Sequence, residues 1–202
     1  MSAPAPEAGH QLEELWMRWE SWLIHNAPED HHALLPGATS AEMSHLEGEV
    51  GFSLAGDLRL LLSKHNGVAP RRSSTQAGAF LLGYSPLTTD GILEWQQNLA
   101  AMSREAAEEG YEEEVVGSIA HERWVPFAQG LTGDLLFIDH RSDRHGEIGE
   151  ISFGSPEYRW LWPNARVMLH DLCDSVEDMS PLPRLGRRPA VHEGRMLEWP
   201  AA

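Results

Sequence analysis

A chain of 202 residues, of which 42% are apolar, can bury one good hydrophobic core, and its length fits one domain with tails. Its formal charge of -16 at pH 7 has the wrong sign for gripping a phosphate backbone, so direct nucleic-acid binding is not expected. Cys173 is the only cysteine, which excludes an internal disulfide and a multi-cysteine zinc site. No apolar run approaches the roughly 20 residues of a membrane-spanning helix, and residues 1–10 lack a signal-peptide pattern, so we expect a cytoplasmic protein.

The N-terminal part divides into a tail and a helix. Residues 1–11 begin with alternating alanine and proline and are expected to be a disordered tail. Residues 12–37 predict an amphipathic helix and a linker, and the apolar stripe of this helix includes Trp16, Trp19 and Trp22 at helical spacing. We expect the stripe to pack on a core, because three tryptophans left in water would favour aggregation.

Two further helices have recognisable start and stop signals. Thr39-Ser40-Ala41-Glu42 matches a capping box, and Gly51 can take the left-handed conformation that ends the first of them. Ser53 is predicted to cap the second, which stops at Lys64-His65-Asn66-Gly67. Protonated His65 would interact favourably with the C-terminal end of the helix dipole, so we interpret this segment as carrying fold rather than function.

A strand and a long helix are predicted next. Ala79 to Tyr84 has the pattern of a buried strand. Thr88-Thr89 can cap a helix that carries Trp95 on its apolar face and runs into the acidic segment Glu105 to Glu114. The carboxylates of that segment must face solvent.

The following segments predict an antiparallel sheet. Residues 123–128 and 134–139 form a hairpin whose turn contains two glycines, 147–153 extends it into a meander, and 158–162 adds an edge strand. Helices followed by a meander and a final helix are typical of an α+β fold, here a single domain with an antiparallel β-meander sheet packed against several α-helices.

The C-terminal part is predicted to be a helix and a tail. A final amphipathic helix starts at Ala165 and ends near Met179, which places the domain at residues 38–179. Residues 180–202 are rich in proline, arginine and glycine, and we expect them to form a flexible tail.

The order and spacing of these elements resemble the SUKH superfamily, in the SMI/KNR-like branch that contains the fungal cell-wall assembly regulator. The resemblance covers residues 38–179. Ser53-Leu54-Ala55 replaces the usual Leu-Pro helix start, and Gln129 stands where an acidic or small turn residue is common. The positions that carry the resemblance, which we expect to be structural, are His65, Asn66, Gly67, Trp95, Trp124, Pro126 and Gly133.

The resemblance implies protein binding rather than catalysis. Members of the superfamily look like immunity proteins encoded beside bacterial toxins, many of them nucleases, whereas the fungal member looks like a regulatory scaffold in cell-wall synthesis and signalling. An acidic protein can occlude a basic nuclease site by presenting carboxylates where the nucleic acid would lie. The candidate partner-binding carboxylates are Glu112, Glu113, Glu114, Asp134 and Asp139. Solvated charge is the simpler explanation for the glutamates, and Asp134 can serve the turn.

Histidines raise the alternative of a metal site. The nearest grouping comprises His121, His140, His145 and Glu147, but zinc needs three or four converging ligands, and no His-Glu-x-x-His spacing is present. We therefore predict no metal and no cofactor.

A nucleophilic enzyme is the other catalytic alternative. Cys173 has His170 three residues earlier, but it also falls beside the apolar stripe of its helix, so burial is expected. Phosphate-binding glycine loops and nucleophile elbows are absent from the sequence. We predict that the chain is not an enzyme.

Three functions from different classes remain open. The favoured one is an immunity protein that binds a basic toxin domain encoded nearby. The second is a regulatory scaffold or adaptor in cell-wall assembly or signalling, for which the tail residues Leu197-Glu198-Trp199-Pro200 could recruit a partner. The third is a cryptic metal-dependent hydrolase that uses His140 and His145.

Overall fold

The computed structural model describes residues 6–154, 157–183 and 185–202, which form an α+β domain. No helix within these ranges is both long and apolar enough to cross a membrane. The helices are α1 (Pro6–Asn26), α2 (Pro28–Ala33), α3 (Ser40–Val50), α4 (Gly56–Lys64), α5 (Thr89–Glu109), α6 (Glu112–Val115) and α7 (Ala165–Asp178). The strands are β1 (Ser85–Pro86), β2 (Trp124–Gln129), β3 (Leu135–Asp139), β4 (Ile148–Ser152), β5 (Glu157–Trp162), β6 (Ala190–His192) and β7 (Met196–Glu198).

The main sheet is an antiparallel meander in the order β1-β2-β3-β4-β5, as the sequence predicts. Trp124 lies opposite Asp139 at the open end of the β2–β3 hairpin, and the register shifts between Pro126 and Ala128. The short strand β1, which the sequence pattern did not indicate, pairs with β2 and forms one edge of the sheet. The other edge is β5.

The predicted helix caps are largely confirmed. Thr39 and Glu42 form the reciprocal capping box of α3, and Gly51 ends that helix at a φ of 80°. Thr88 caps α5 by accepting a hydrogen bond from the Gly91 amide. Each cap occupies a backbone group that has no partner within its own helix.

The predicted Ser53 cap is wrong, because α4 begins three residues later. The amide of Leu54 donates to the Glu47 carboxylate, and the amide of Ala55 donates to Nε2 of His140. These tertiary hydrogen bonds hold the segment extended up to Ala55, which precedes α4 without a side-chain cap.

The strand predicted at residues 79–84 is also wrong. The segment forms tight turns, with Leu82 at a φ of 59° and Gly83 at 91°, and only an isolated bridge joins Leu81 to Tyr84. Phe80 and its apolar neighbours are nevertheless buried in the core. Burial, rather than strand formation, explains the continuous apolar run.

The segment expected to be a flexible C-terminal tail is packed where the structure describes it. Strands β6 and β7 form a hairpin, and Leu182, Met196, Leu197 and Trp199 are buried. The indole of Trp199 donates to the Phe80 carbonyl oxygen at 2.8 Å. A few well-placed apolar residues anchor a segment whose average composition resembles a tail.

The disordered N-terminal tail was predicted to extend too far. Helix α1 already begins at Pro6, and Leu12 is buried, so residues 6–11 are part of the helix. Proline fits the first turn of a helix because its missing N–H would have no partner there. Residues 1–5 of the predicted tail lie outside the described ranges.

The two faces of the sheet are covered differently. Val125, Leu136 and Ile138 point into the main core, together with side chains of α1, α4 and α7. Within α1, Trp19 is fully buried, which confirms that the tryptophan stripe packs on a core. The opposite face carries a smaller cluster centred on Trp124 and Phe137.

A candidate protein-binding face

The smaller cluster has a buried centre and a partly open rim. The rings of Trp124 and Phe137 are fully buried and stack with centroids 4.3 Å apart. Around them lie four half-buried aromatic side chains from α5, β5 and the end of β4, which we call the aromatic face: Trp95, Phe153, Tyr158 and Trp160.

Strand geometry explains why β5 contributes two of these rings. Tyr158 and Trp160 are two residues apart and therefore point to the same side of the sheet. Their rings lie 5.7 Å apart and edge to face, and Trp160 also meets Phe137 edge to face at 5.7 Å. Aromatic pairs favour this arrangement, so the rings hold one another in place.

Gly149 makes room for the buried centre. It lies opposite Phe137 on β3 and Trp160 on β5, and a Cβ atom at this position would come within 2.5 Å of Cζ of Phe137. Any larger residue would push the Phe137 ring out of its stack with Trp124. Only glycine permits the observed packing.

Trp95 connects the aromatic face to a cleft at the β1 edge. Its ring stacks on Phe153 at 6.2 Å. The cleft, of about 270 Å³, continues from Trp95 past Thr88 and Gly91 to Leu131. The Leu131 side chain is exposed, with 53% of its surface accessible. The aromatic face and this cleft therefore meet at Trp95.

Asp139, predicted to contact a partner, is instead an internal support. It is fully buried, and its carboxylate accepts hydrogen bonds from the Trp124 indole at 3.1 Å and from the Arg141 backbone amide at 2.7 Å. The Arg141 guanidinium completes an ion pair at 2.8 Å. The sequence prediction was wrong because a carboxylate at a strand end gives no sign of burial until its cationic partner is located.

Asp134 also has an internal contact. One carboxylate oxygen accepts from the Phe153 amide at 3.2 Å and the other from the Thr132 hydroxyl at 2.7 Å. The first bond ties the β2–β3 turn to the end of β4. Asp134 thereby positions Phe153 within the aromatic face.

Glu112, Glu113 and Glu114 remain on the surface. They form most of the single-turn helix α6 and are all exposed. Val115, at the end of the same turn, packs against the cluster beneath the aromatic face. Of the five predicted carboxylates, these three are the exposed ones beside the aromatic rings.

Arg144 provides a positive charge at the Trp160 side of the aromatic face. The guanidinium of Arg144 lies 5.0 Å from the ring centre of Trp160 and pairs with the Glu147 carboxylate at 3.2 Å. Such a cation–π contact favours a fixed ring orientation. The face therefore combines aromatic rings with exposed charges of both signs.

The family-type residues at the end of α4 clamp two helices together. Asn66 accepts from the Thr89 amide at 2.7 Å, and His65 contacts the Leu35 carbonyl oxygen and the Glu20 carboxylate at 2.9 and 2.8 Å. Gly67 has a φ of 68°, and a Cβ atom there would lie 2.4 Å from the Leu87 carbonyl carbon. The segment fixes the start of α5 and, with it, Trp95.

The other family-type positions serve the hairpin. Trp124 forms the buried centre, Pro126 stands where the β2 register shifts, and Gly133 has a φ of 92° in the turn. That backbone conformation favours glycine. These three residues shape the strands on which the aromatic face is built.

The histidines of the hydrolase hypothesis, His140 and His145, lie with their ring centres 5.5 Å apart, but His140 has no nitrogen available for a metal. Nδ1 of His140 donates to the Ile138 carbonyl oxygen, and its Nε2 accepts the Ala55 amide, so neither ring nitrogen is free for a metal. Burial lowers the pKa of His140 to about 4, which keeps the ring neutral. Across the described ranges, no three potential ligands are grouped in a way that could hold a metal ion.

The cysteine hypothesis also lacks the required geometry. Cys173 is buried, its thiol faces the Leu15 carbonyl oxygen, and burial raises its pKa to about 12. His170 is directed toward Asp174 at the surface. A nucleophilic cysteine needs an activating base and a lowered pKa, and this one has neither.

The aromatic face was missed at the level of sequence, although one signal was present. The alternation of Tyr158, Trp160 and Trp162 predicts a strand with aromatic residues on a single face. The register shift between Ile148 and Gly149 instead places Trp162 in the main core, whereas Tyr158 and Trp160 pack on the smaller cluster. That irregularity leaves no clear mark in the sequence.

Comparison with known proteins agrees with this architecture. The cell wall biosynthesis/cell cycle regulator smi1 of Schizosaccharomyces pombe is 27% identical over 157 residues, which are 69% of this chain. The aligned part makes up 30% of that relative, so the chain spans less than a third of its length. Residues 37–171, which include α3 to α6, the main sheet and half of α7, match the SMI1 / KNR4 family (SUKH-1). The chain belongs to the SMI1/KNR4 (SUKH-1) family.

Proposed function

We propose that this chain is a protein-binding module of the immunity type, which neutralises a bacterial toxin by binding it directly in the cytoplasm. The observation that carries the proposal is the aromatic face beside the exposed carboxylates of α6. Tryptophan and tyrosine are enriched among the residues that dominate binding energy at protein interfaces. No catalytic step is assigned to the chain.

Charge supports a basic partner. The chain has 31 acidic and 15 basic residues, and Glu112, Glu113 and Glu114 are exposed on α6, whose Val115 packs against the cluster beneath the aromatic face. A nuclease toxin must carry positive charge to bind its substrate, and an acidic surface accelerates association with such a protein. In this proposal the aromatic rings provide most of the binding affinity, and the carboxylates raise the association rate and orient the partner.

The experiment is to produce the chain with the toxin domain encoded by the neighbouring gene. We expect a stable complex, protection of cells that express the toxin, and an association rate that falls steeply with added salt. Replacing Glu112, Glu113 and Glu114 by Gln together should lower the association rate about tenfold at low salt while leaving the dissociation rate nearly unchanged.

The matched control removes three exposed charges elsewhere, as Glu49→Gln, Asp178→Asn and Glu198→Gln. This control has the same net charge but keeps α6 intact, so its association rate should change much less. Equal loss of rate in both triple variants would show that net charge alone acts. No complex and no protection with the neighbouring gene product would refute the immunity function.

A second candidate is a regulatory scaffold or adaptor, which the name of the Schizosaccharomyces pombe relative favours. Residues 197–200 do not form a free tail that could recruit a partner. Leu197 and Trp199 are buried, and the Leu197 amide donates to the buried Asp30 carboxylate at 2.6 Å. Deleting that segment would destabilise the fold. The candidates differ in one result: only the immunity function predicts that the chain protects cells from the toxin.

A further inference from the structure

A cleft beside the β3–β4 loop is lined by two arginines of this strongly acidic chain. It is an open cleft of about 620 Å³ lined by Arg123, His140, Arg141, Ser142, Asp143 and His145, and we call it the arginine cleft. With 31 acidic residues for 15 basic ones, most arginines are expected to find a carboxylate. Arg18, Arg59, Arg141, Arg144, Arg159 and Arg195 each do so within 4.0 Å.

Arg123, like several other arginines of the described ranges, has no carboxylate within this distance, and unlike them it lines the arginine cleft. It is half-buried, its guanidinium lies 4.6 Å from the ring centre of Phe52, and no carboxylate of the described ranges comes within ion-pair distance. Stacking on a ring fixes the plane of the guanidinium while leaving its edge free to donate. The side chain is thus pre-organised, and its hydrogen-bonding capacity is unused.

The surrounding charges indicate what kind of anion fits. Arg141 is already neutralised by the buried Asp139, and Asp143 contributes an exposed negative charge at the rim. Burial lowers the pKa of His140, and the nearby Arg123 guanidinium lowers it further. A guanidinium fork can pair with a carboxylate or a phosphate, but the exposed Asp143 and the formal charge of -16 repel a doubly charged phosphate more strongly than a singly charged carboxylate.

We propose that the arginine cleft binds a carboxylate group through the guanidinium of Arg123. Arg141 and His145 line the approach, and Phe52 holds the guanidinium plane. The carboxylate comes from an acidic side chain of a protein or from a small free carboxylate. The residues of this cleft are not part of the aromatic face, so carboxylate binding can be measured on the free chain without the toxin domain.

The test follows the Arg123 Nε–H signal of the full chain by NMR during titration with acetate, with N-acetylglutamate amide and with inorganic phosphate. We expect a saturable shift with both carboxylates and a response at least about tenfold weaker to phosphate. A response to acetate alone would assign the site to small free carboxylates. A response to both would admit an acidic side chain.

Variants separate this site from general charge effects. In Arg123→Gln, Phe52 and His145 signals should lose their acetate response. Arg123→Lys should retain a response weakened several-fold, because lysine keeps the charge but lacks the fork. Arg72→Gln, which removes the same charge from an exposed loop position, should behave like the unchanged chain. Absence of a saturable shift in the unchanged chain, an equal response to phosphate, or an undiminished response in Arg123→Gln would overturn the proposal.

Discussion

The two faces of the main sheet use aromatic residues in opposite ways. On the main-core face, α1 seals the packing, and Trp19 is fully buried. On the other face, α5 and α6 cover the buried Trp124 but leave Tyr158 and Trp160 half-exposed. One sheet therefore presents a closed side that supports stability and a partly open side with the composition of an interface.

The closed side of the sheet stabilises the fold, whereas the partly open side is the one that we propose binds a partner. Helix α1 and the β6–β7 hairpin lie outside the matched range 37–171, yet both pack on the main core. The aromatic face lies within that range, and the Trp124 ring buried beneath it is held by a polar contact with Asp139. We expect substitutions on the closed side to lower stability, and substitutions on the open side to weaken binding.

The largest stability loss is expected from Trp19→Ala on the closed side. Removing a fully buried indole leaves a cavity and should lower the free energy of unfolding by about 3–5 kcal/mol. Denaturant titration measures this loss. A loss below about 1 kcal/mol would mean that α1 is not part of the main core.

Asp139→Asn tests the support beneath the open side. The substitution leaves the Arg141 guanidinium without its buried countercharge and should cost about 3 kcal/mol. Near-UV circular dichroism should also change, because the Trp124 indole loses its carboxylate acceptor. Asp143→Asn, at an exposed neighbouring position, is the control and should be nearly neutral.

The pH dependence of stability tests His140, which joins β3 to the start of α4. Its pKa is lowered from 6.5 to about 4, so between these values the unfolded chain binds the proton that the folded chain excludes. Its contribution is therefore fully present above pH 6.5 and is lost progressively as the pH falls toward 4. The total loss in the free energy of unfolding is about 3 kcal/mol.

His140→Gln isolates this contribution from other titrating groups. The variant should be less stable at pH 7, because the ring hydrogen bonds are altered, but its stability should fall less steeply than that of the unchanged chain from pH 6.5 to 4. Parallel pH profiles would contradict the buried neutral ring. Denaturant titration at several pH values gives both profiles.

The smallest stability change is expected from Trp160→Ala on the open side. The ring is half-buried, so its loss should cost about 1–2 kcal/mol, less than the loss at Trp19. Thermal unfolding compares the two variants. An equal cost at both positions would remove the distinction between the faces.

Sequence patterns predicted the elements better than the site. The capping box at Thr39, the glycine stop at Gly51 and the β2–β3 hairpin are local signals, and the structure confirms them. The conformations of residues 79–84 and of the C-terminal segment depend on long-range contacts such as the Trp199–Phe80 hydrogen bond. Local periodicity carries no information about such contacts.

The candidate site was harder to predict for the same reason. Acidity was visible in the sequence, but the burial of Asp139 depends on Arg141 and Trp124, which meet it only in the folded hairpin. The half-exposure of Trp160 depends on α5 and α6 covering only part of the sheet. Composition identified the charge, and tertiary packing determines which charges a partner can reach.

The most direct test compares two half-buried tryptophans on opposite sides of the sheet, Trp160 and Trp22. Calorimetric titration with the toxin domain encoded by the neighbouring gene should show Trp160→Ala raising the Kd at least about 30-fold. Trp22→Ala, on α1, should raise it less than about threefold. A Kd unchanged by Trp160→Ala, or raised equally by both substitutions, would contradict the assignment of the aromatic face as the protein-binding surface.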